Sequence, residues 1–358
     1  MEIKIVTTFV VCIVLLAVIL FVACRPKKDD RLFPIEVKGQ MGYIDKTGKV
    51  VIEPQFDNAE LEWFSEELAG VMIGDKLDTG KVNQYGRVAS KYTKWGYING
   101  KGEIVIKAQF DDGGKFSEGL ALVKVGDKYG YIDKTGKTVI EPQFDAAGGN
   151  FSDGLAYMNI GGKFGYIDKT GNIAIKPQFD DGWSFSEGLA IVKIDGKGGF
   201  IDKTGKTVIE LQYEDIGEFS DGLALVKIGD KYGYIDKTGK TAIAPQFDDA
   251  WVFSEGLALV KIGTKHGYID QTGKIVINLQ FDIPGGNFSE GLAYIKIDGK
   301  FGFIDKTGKI VIKPQYDHIG EFSEGGLARM GMNRDVKVGG VRFGYINKSG
   351  KMVWMEPE

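Results

Sequence analysis

Two sets of acidic residues recur along this 358-residue chain at spacings that invite chemistry. Asp145, Asp180, Asp248, Asp282 and Asp317 each follow an aromatic residue in a P-Q-[FY]-D or L-Q-F-D stretch. Glu118, Asp153, Glu187, Asp221, Glu255 and Glu290 sit in F-S-[ED]-G. Clustered carboxylates suit Ca²⁺, and an unequal pair suits glycoside hydrolysis. Catalysis, however, needs one pair whose pKa values diverge, whereas a carboxylate repeated at the same place in every unit suits turn capping or acceptance of backbone N–H groups. The second role is the expected one. No EF-hand loop or glycine-rich nonapeptide is present, so no metal and no cofactor is expected.

Other catalytic chemistries lack their residues. The only histidines, His266 and His318, fall at repeat positions that other copies fill with different residue types. Both cysteines, Cys12 and Cys24, lie within the first 24 residues, which leaves the rest of the chain without a thiol. No Ser-His-Asp set, phosphate loop or H-E-x-x-H helix occurs, so the chain reads as a protein that is not an enzyme. Its 49 acidic and 45 basic residues are interspersed, with a net charge of −4, and form no basic stripe for a nucleic acid. With 52 glycines but 43 % apolar residues it has material for a core.

Aromatic residues that break the repeat are the candidate binding groups. Trp183 and Trp251 occupy the variable part of a connector, and Tyr85 and Tyr92 lie in an insertion. Such side chains either contact a partner or bury themselves between sheets.

The elements that must hold these residues are repeats. G-[YF]-I-[DN] begins at Gly42, Gly96, Gly130, Gly165, Gly199, Gly233, Gly267, Gly302 and Gly344. Six of the eight intervals are 34 or 35 residues, and insertions at 74–94 and 330–342 lengthen the other two. Within a unit, Leu257–Ile262 and His266–Asp270 read as strands around a short turn, and Ile275–Ile277 as a third strand. The turn between the second and third strands, as at Asp236-Lys-Thr-Gly239-Lys, suits a type I turn closed by a left-handed glycine, with the aspartate capping it. Apolar residues occupy both parities of the strands, so sheets must stack, with connector aromatics such as Phe144 and Phe151 between them. The fold class expected is all-β: about nine three-stranded antiparallel meanders of about 34 residues each. An open, twisted, solenoid-like array is the first expectation, because nine exceeds the four to eight blades usual for propellers and no unit is split between the termini. A closed propeller-like ring is the alternative.

These units resemble the bacterial WG (or KWG) repeat, named for an aromatic–glycine pair heading G-Y-I-D. The pair stands as Trp95-Gly96, Tyr129-Gly130, Phe164-Gly165, Tyr232-Gly233, Phe301-Gly302 and Phe343-Gly344, with Met41, Gly198 and His266 replacing the aromatic elsewhere. The resemblance covers about Leu32 to Trp354 and implies no particular activity.

Ahead of the array, Ile5 to Ala23 is mostly apolar and directs the chain to a membrane. Its end, Ala23-Cys24, is similar to a bacterial lipoprotein signal, which implies cleavage before Cys24 and lipidation there, although Phe21 replaces the usual leucine. Alternatives are an uncleaved exported anchor or, from the basic residues after the run, a cytoplasm-facing array. The organisation expected is 1–24 signal or anchor, 25–31 linker and 32–358 repeat array. The function expected is a membrane-tethered, envelope-associated scaffold facing outward or into the periplasm and presenting its surface to a protein partner. The alternative is a carbohydrate- or peptidoglycan-binding module stacking cell-wall glycan on connector aromatics.

Overall fold

The computed structural model describes residues 31–57, 63–73, 94–334 and 340–357. Every regular element among them is a β-strand, and the strands form nine separate antiparallel sheets of three or four strands. Each sheet is one repeat unit. Unit seven, for example, pairs Leu257–Ile262 with Lys265–Asp270, which pairs with Ile275–Phe281.

The aromatic–glycine signature has a steric cause. The third strand runs on through P-Q-[FY] with a bulge, so that in unit six Tyr234 faces Ile243 while Tyr232 faces Phe247. The bulged backbone lies directly on Gly233, where a Cβ would stand 2.6 Å from the Ile243 carbonyl oxygen and 2.8 Å from the Pro245 nitrogen. Only glycine fits there. P-Q-[FY], expected to be connector, is therefore strand, because the glycine lets it stay paired.

The D-K-T-G-K turn has the geometry its residues suggest. Gly239 takes φ +83°. Asp236 Oδ1 accepts the N–H of Thr238 at 2.9 Å, its hydroxyl at 2.6 Å and the N–H of Lys240 at 3.1 Å. These bonds hold the Asp236 carboxyl below the usual carboxylate range, the Thr238 hydroxyl being the largest cause.

The F-S-[ED]-G stretch forms a second hairpin that the sequence pattern did not reveal. Ser254 N–H donates to Leu257 O at 2.9 Å and Leu257 N–H to Ser254 O at 3.2 Å, while both central residues, Glu255 (φ 52°) and Gly256 (φ 84°), are left-handed. That is a two-residue turn of the I′ kind, and it joins a short edge segment to the first strand of the unit. Residues such as Asp249–Ala250 extend this edge, which gives five of the nine units a fourth strand.

Successive units touch through these hairpins. Ser117 Oγ donates to Phe151 O at 2.7 Å and Ser152 Oγ to Phe185 O at 2.7 Å, and the pattern continues to Ser289 Oγ and Phe322 O at 2.6 Å. The hairpins thus link each unit to the next. Between units, the buried G-[YF]-I-D aromatic of one packs edge-on or tilted against the F-S phenylalanine of the next, as in Tyr97–Phe116 and Tyr234–Phe253. Most of these tyrosine hydroxyls donate to a carbonyl of the next unit's edge, Tyr131 to Gly149 O at 2.7 Å for instance. The apolar core is accordingly a succession of clusters, each shared by two neighbouring sheets.

The array closes on itself, which corrects the expectation of an open solenoid. Phe33, Ile35 and Ile44 of unit one share a buried cluster with Leu327 and Tyr345 of unit nine. The two units share no strand. Closure is achieved by side-chain packing, which needs no unit split between the termini. The ring is propeller-like, with nine blades.

Candidate functional site

The repeated acids have structural tasks. Glu255 accepts the N–H of Gly291 in the next hairpin at 3.0 Å and pairs with Lys306 of the next unit at 3.0 Å. Burial opposes ionisation of Glu255, but Lys306 and the amides outweigh it and hold the carboxyl below its usual value. Glu118 accepts the Gly154 N–H and pairs with Lys169, and Glu187 accepts the Gly222 N–H and pairs with Lys237. In the other set, Asp248 pairs with Lys231 of its own unit at 2.5 Å and accepts the Gly263 N–H of the next unit's hairpin at 2.6 Å. The Lys231 hydrogen bond is the main reason that its carboxyl is held low. Among the described residues, no group of three or more His, Cys, Asp or Glu side chains is placed to hold a metal ion.

The two histidines differ in setting. His266 is buried, its Nδ1 is 3.2 Å from Phe281 O, and its ring lies beside Trp251. His318 is exposed.

The sequence-derived binding residues are dispersed. Trp183 and Trp251 are half-buried, packed against two different inter-unit clusters, with Lys193 lying over the Trp183 ring. Tyr85, Tyr92 and Cys24 lie outside the described residues, as does most of the 74–94 insertion. Of the second insertion, the described part lengthens a hairpin in unit nine, where Asn333 pairs with Val341.

That hairpin stands beside a site which residue types alone did not mark. At the seam between units nine and one lies a cavity of about 220 Å³, bordered by Pro34, Glu36, Arg329, Phe343, Trp354 and Glu356. Phe343 is the aromatic of the aromatic–glycine pair, and Arg329 stacks on it with 4.0 Å between guanidinium carbon and ring centre. No carboxylate among the described residues pairs with Arg329, whereas Glu356 is 3.6 Å from Arg334. The Tyr345 hydroxyl donates to Pro34 O at 2.7 Å, and burial pushes its pKa up.

Arg329 breaks a pattern. Its cross-strand partner is Tyr345. The equivalent partners of the G-[YF]-I-D aromatics in other units are Pro34, Gly70, Leu122, Tyr157, Ile191, Leu225, Leu259 and Tyr294, all uncharged. The signal was present in the sequence at L-A-R-M, where seven other copies read L-A-L-V, L-A-Y-I, L-A-Y-M, L-A-I-V or L-A-G-V.

Comparison with known families agrees with the geometry. The profile of the WG containing repeat matches eight times, at residues 41–76, 95–129, 129–164, 164–197, 199–232, 232–265, 267–301 and 301–333. The chain belongs to the WG-repeat family. Each match runs from the second strand of one unit into the first strand of the next, so eight matches join nine sheets. Comparison with curated proteins gives no match. Among solved structures, the WG-repeat chain is similar to a crystal structure of a eukaryotic initiation factor, at 10 % identity and TM-score 0.57, over 91 % of this chain and 96 % of that one. A dihydro-heme d1 dehydrogenase, NirN, aligns at 15 % identity and TM-score 0.45 over 74 % of this chain and 70 % of its own. The first likeness shows a shared fold and nothing of activity; the second is too weak to carry an argument.

Proposed function

We propose that this WG-repeat protein is a non-enzymatic interaction scaffold that binds a protein partner. The observation that carries the reading is that the recurrent ionisable groups are engaged in holding the ring together, while Arg329 and the lengthened hairpin of unit nine depart from the repeat beside the unit nine–unit one seam. A ring that departs from its repeat at such a place offers a unique surface on an otherwise repetitive body. The test is quantitative binding by the full-length chain. A purified protein partner that binds saturably, with competing cell-wall glycan having no effect, supports the reading. Saturable binding to peptidoglycan fragments with no protein partner contradicts it.

We further propose that the segment before the array tethers it at the cell envelope through lipid on Cys24. The apolar run Ile5 to Ala23 and the Ala23-Cys24 junction support this. Mass spectrometry of the mature amino terminus checks it: a chain beginning at lipidated Cys24, with labelling lost in Cys24→Ala, is expected. An intact Met1 in the membrane fraction contradicts it.

A further inference from the structure

We propose that the ring is jointed at two places, the unit three–unit four and unit seven–unit eight junctions. Units four to seven pivot there as one arc against the rest, and both junctions open at the tips of the hairpins that join first and second strands. This goes beyond the scaffold reading and does not depend on what the scaffold binds.

Neighbouring units can be held together at two ends. The first strand runs from the F-S-[ED]-G hairpin to the tip of the next hairpin, over Leu120–Val125 or Leu257–Ile262, which separates the two ends by about 20 Å. At the F-S end, every junction from unit two–unit three to unit eight–unit nine carries the serine-to-carbonyl bond. At the tip end, four of these junctions carry a second clasp. Asp111, Asp180, Asp248 and Asp317 follow the third strands of units two, four, six and eight. Each accepts an N–H from the hairpin tip of the next unit: Gly126 at 2.8 Å, Asp195 at 2.7 Å, Gly263 at 2.6 Å and Asn333 at 3.0 Å respectively. Their own N–H groups donate to the first strand of that unit, at the carbonyls of Lys124, Lys193, Lys261 and Gly331. The unit five–unit six junction is clasped one residue later along the chain. There Asp215 O accepts the Lys227 N–H at 3.0 Å, and its carboxylate accepts the Tyr232 hydroxyl at 2.7 Å.

The remaining two junctions lack this clasp. Asp145 and Asp282 stand at the equivalent place, but each pairs only with a lysine of its own unit, Lys128 or Lys265, and among the described residues neither bonds to the next unit. Their side chains are 87 % and 78 % exposed, against 39 % or less for the four clasping aspartates. The connector is the cause. In D-A-A-G-G-N-F and D-I-P-G-G-N-F the acid stands six residues before the F-S phenylalanine, whereas the clasping aspartates stand five before theirs. Gly149 and Gly286 lie flat on the first strand, where a Cβ would meet the Tyr157 ring at 2.2 Å and the Tyr294 ring at 2.3 Å. The added residue is therefore taken up between that contact and the acid, and it carries the acid away from the tip. Toward the tips, the last hydrogen bonds across these junctions among the described residues are Tyr131 to Gly149 O and Tyr268 to Gly286 O. A junction bonded at one end and unbonded at the other pivots about the bonded end. Four units lie between the two pivots and five outside them, so the ring folds along the line that joins the pivots.

The test is pulsed dipolar spectroscopy of the full-length chain, with Cys12 and Cys24 changed to serine and spin labels on pairs of introduced cysteines at exposed positions. At the hairpin tips, Asp127 with Asp195 spans the first pivot, Asp230 with Asp298 spans the second, and Asp195 with Thr264 spans neither; each pair is two units apart. At the opposite end the matching pairs are Lys137 with Lys206, Lys240 with Lys309, and Lys206 with Lys274. The two pivot-spanning tip pairs should give distance distributions about twice as wide as Asp195 with Thr264, while the three pairs at the opposite end stay equally narrow. Removal of Pro284 turns the second pivot's connector into D-I-G-G-N-F, which matches in length the clasped D-D-G-G-K-F of Asp111–Phe116. That deletion should narrow Asp230 with Asp298 and leave Asp127 with Asp195 wide, with the melting temperature verifying the fold. Equal widths for the three tip pairs overturn the proposal. Widening of Lys137 with Lys206 and Lys240 with Lys309 to match the tips also overturns it, because the junctions are then loose at both ends. An unchanged width in the folded Pro284 deletion overturns the connector as the cause of the joint.

Discussion

Phe33 lies edge-on to Tyr345, with 5.8 Å between ring centres, and takes the part that the F-S phenylalanine plays at the other junctions. Tyr43–Phe64, Tyr166–Phe185 and Phe303–Phe322 are the same contact elsewhere in the ring. In strand register, though, Phe33 occupies an alanine position: it faces Ile44, as Ala121 faces Ile132. A bulky residue on the first strand of unit one thus replaces a ring that would otherwise come from a preceding hairpin. Phe33 is 1 % exposed. Phe33→Ala should destabilise the protein by about 3–5 kcal/mol, with amide exchange rising first in units one and nine. Protection that falls evenly around the ring would contradict this role.

The glycines divide into two mechanical classes that mutation should separate. At Gly239 an added Cβ has room, meeting the Ile209 side chain no closer than 3.4 Å, but φ is +83°. Gly239→Val should therefore cost about 1–3 kcal/mol through backbone strain. At Gly233 the obstacle is backbone at 2.6 Å, so even Gly233→Ala should cost more than Gly239→Ala in denaturant unfolding. Equal costs would show that the bulge relaxes away from Gly233.

Acid should loosen the ring in a defined direction. The carboxyls of Asp133, Asp168, Asp202, Asp236, Asp270 and Asp305 are held low by their threonine partners, and that of Glu255 is held low by Lys306 and amides against the opposing effect of burial. A carboxyl depressed in the folded state stabilises above its unfolded pKa, about 4, and loses that contribution as pH falls through the folded value. The melting temperature should be flat near neutrality and fall below about pH 4. Asn99 and Asn347 already serve at this turn position without charge, so Asp236→Asn should preserve the fold and reduce the acid dependence. A melting temperature that rises on acidification would refute the assignment.

Trp183 and Trp251 test whether irregular connectors serve packing or recognition. Each is half-buried against an inter-unit cluster, and Lys193 covers part of the Trp183 ring. Trp183→Ala should destabilise by about 2 kcal/mol. Any loss of partner binding should follow the loss of folded protein. Full thermal stability with binding abolished would move Trp183 into the binding surface.

Much of this architecture was legible in the residues. Nine copies of G-[YF]-I-[DN] marked the units, alternation marked the strands, and Asp236 with Gly239 marked the turn, because each is a local pattern with a local cause. What escaped was non-local. The left-handed Glu255 in F-S-E-G is held by the neighbouring unit, where the Gly291 N–H donates to its carboxylate and Lys306 balances its charge. The continuation of the third strand through P-Q-F depends on the absence of a Cβ at Gly233. Ring closure depends on Phe33 meeting Tyr345 across nearly the whole array. Arg329 was visible as a departure from L-A-L-V, but its meaning needed the cavity beside it.

Closure of the ring at the unit nine–unit one seam is the claim on which the scaffold reading depends. Gly48 approaches the Val353 backbone there, and the flanking residues Lys49 and Met352 are exposed. With Cys12 and Cys24 changed to serine, single cysteines at Lys49 and Met352 can be joined by a short bis-maleimide in dilute solution. A closed ring should give a high yield of intramolecular cross-link in monomeric protein, independent of concentration and lost on unfolding. Cross-links that form only between molecules, and only as concentration rises, would mean that the array is open.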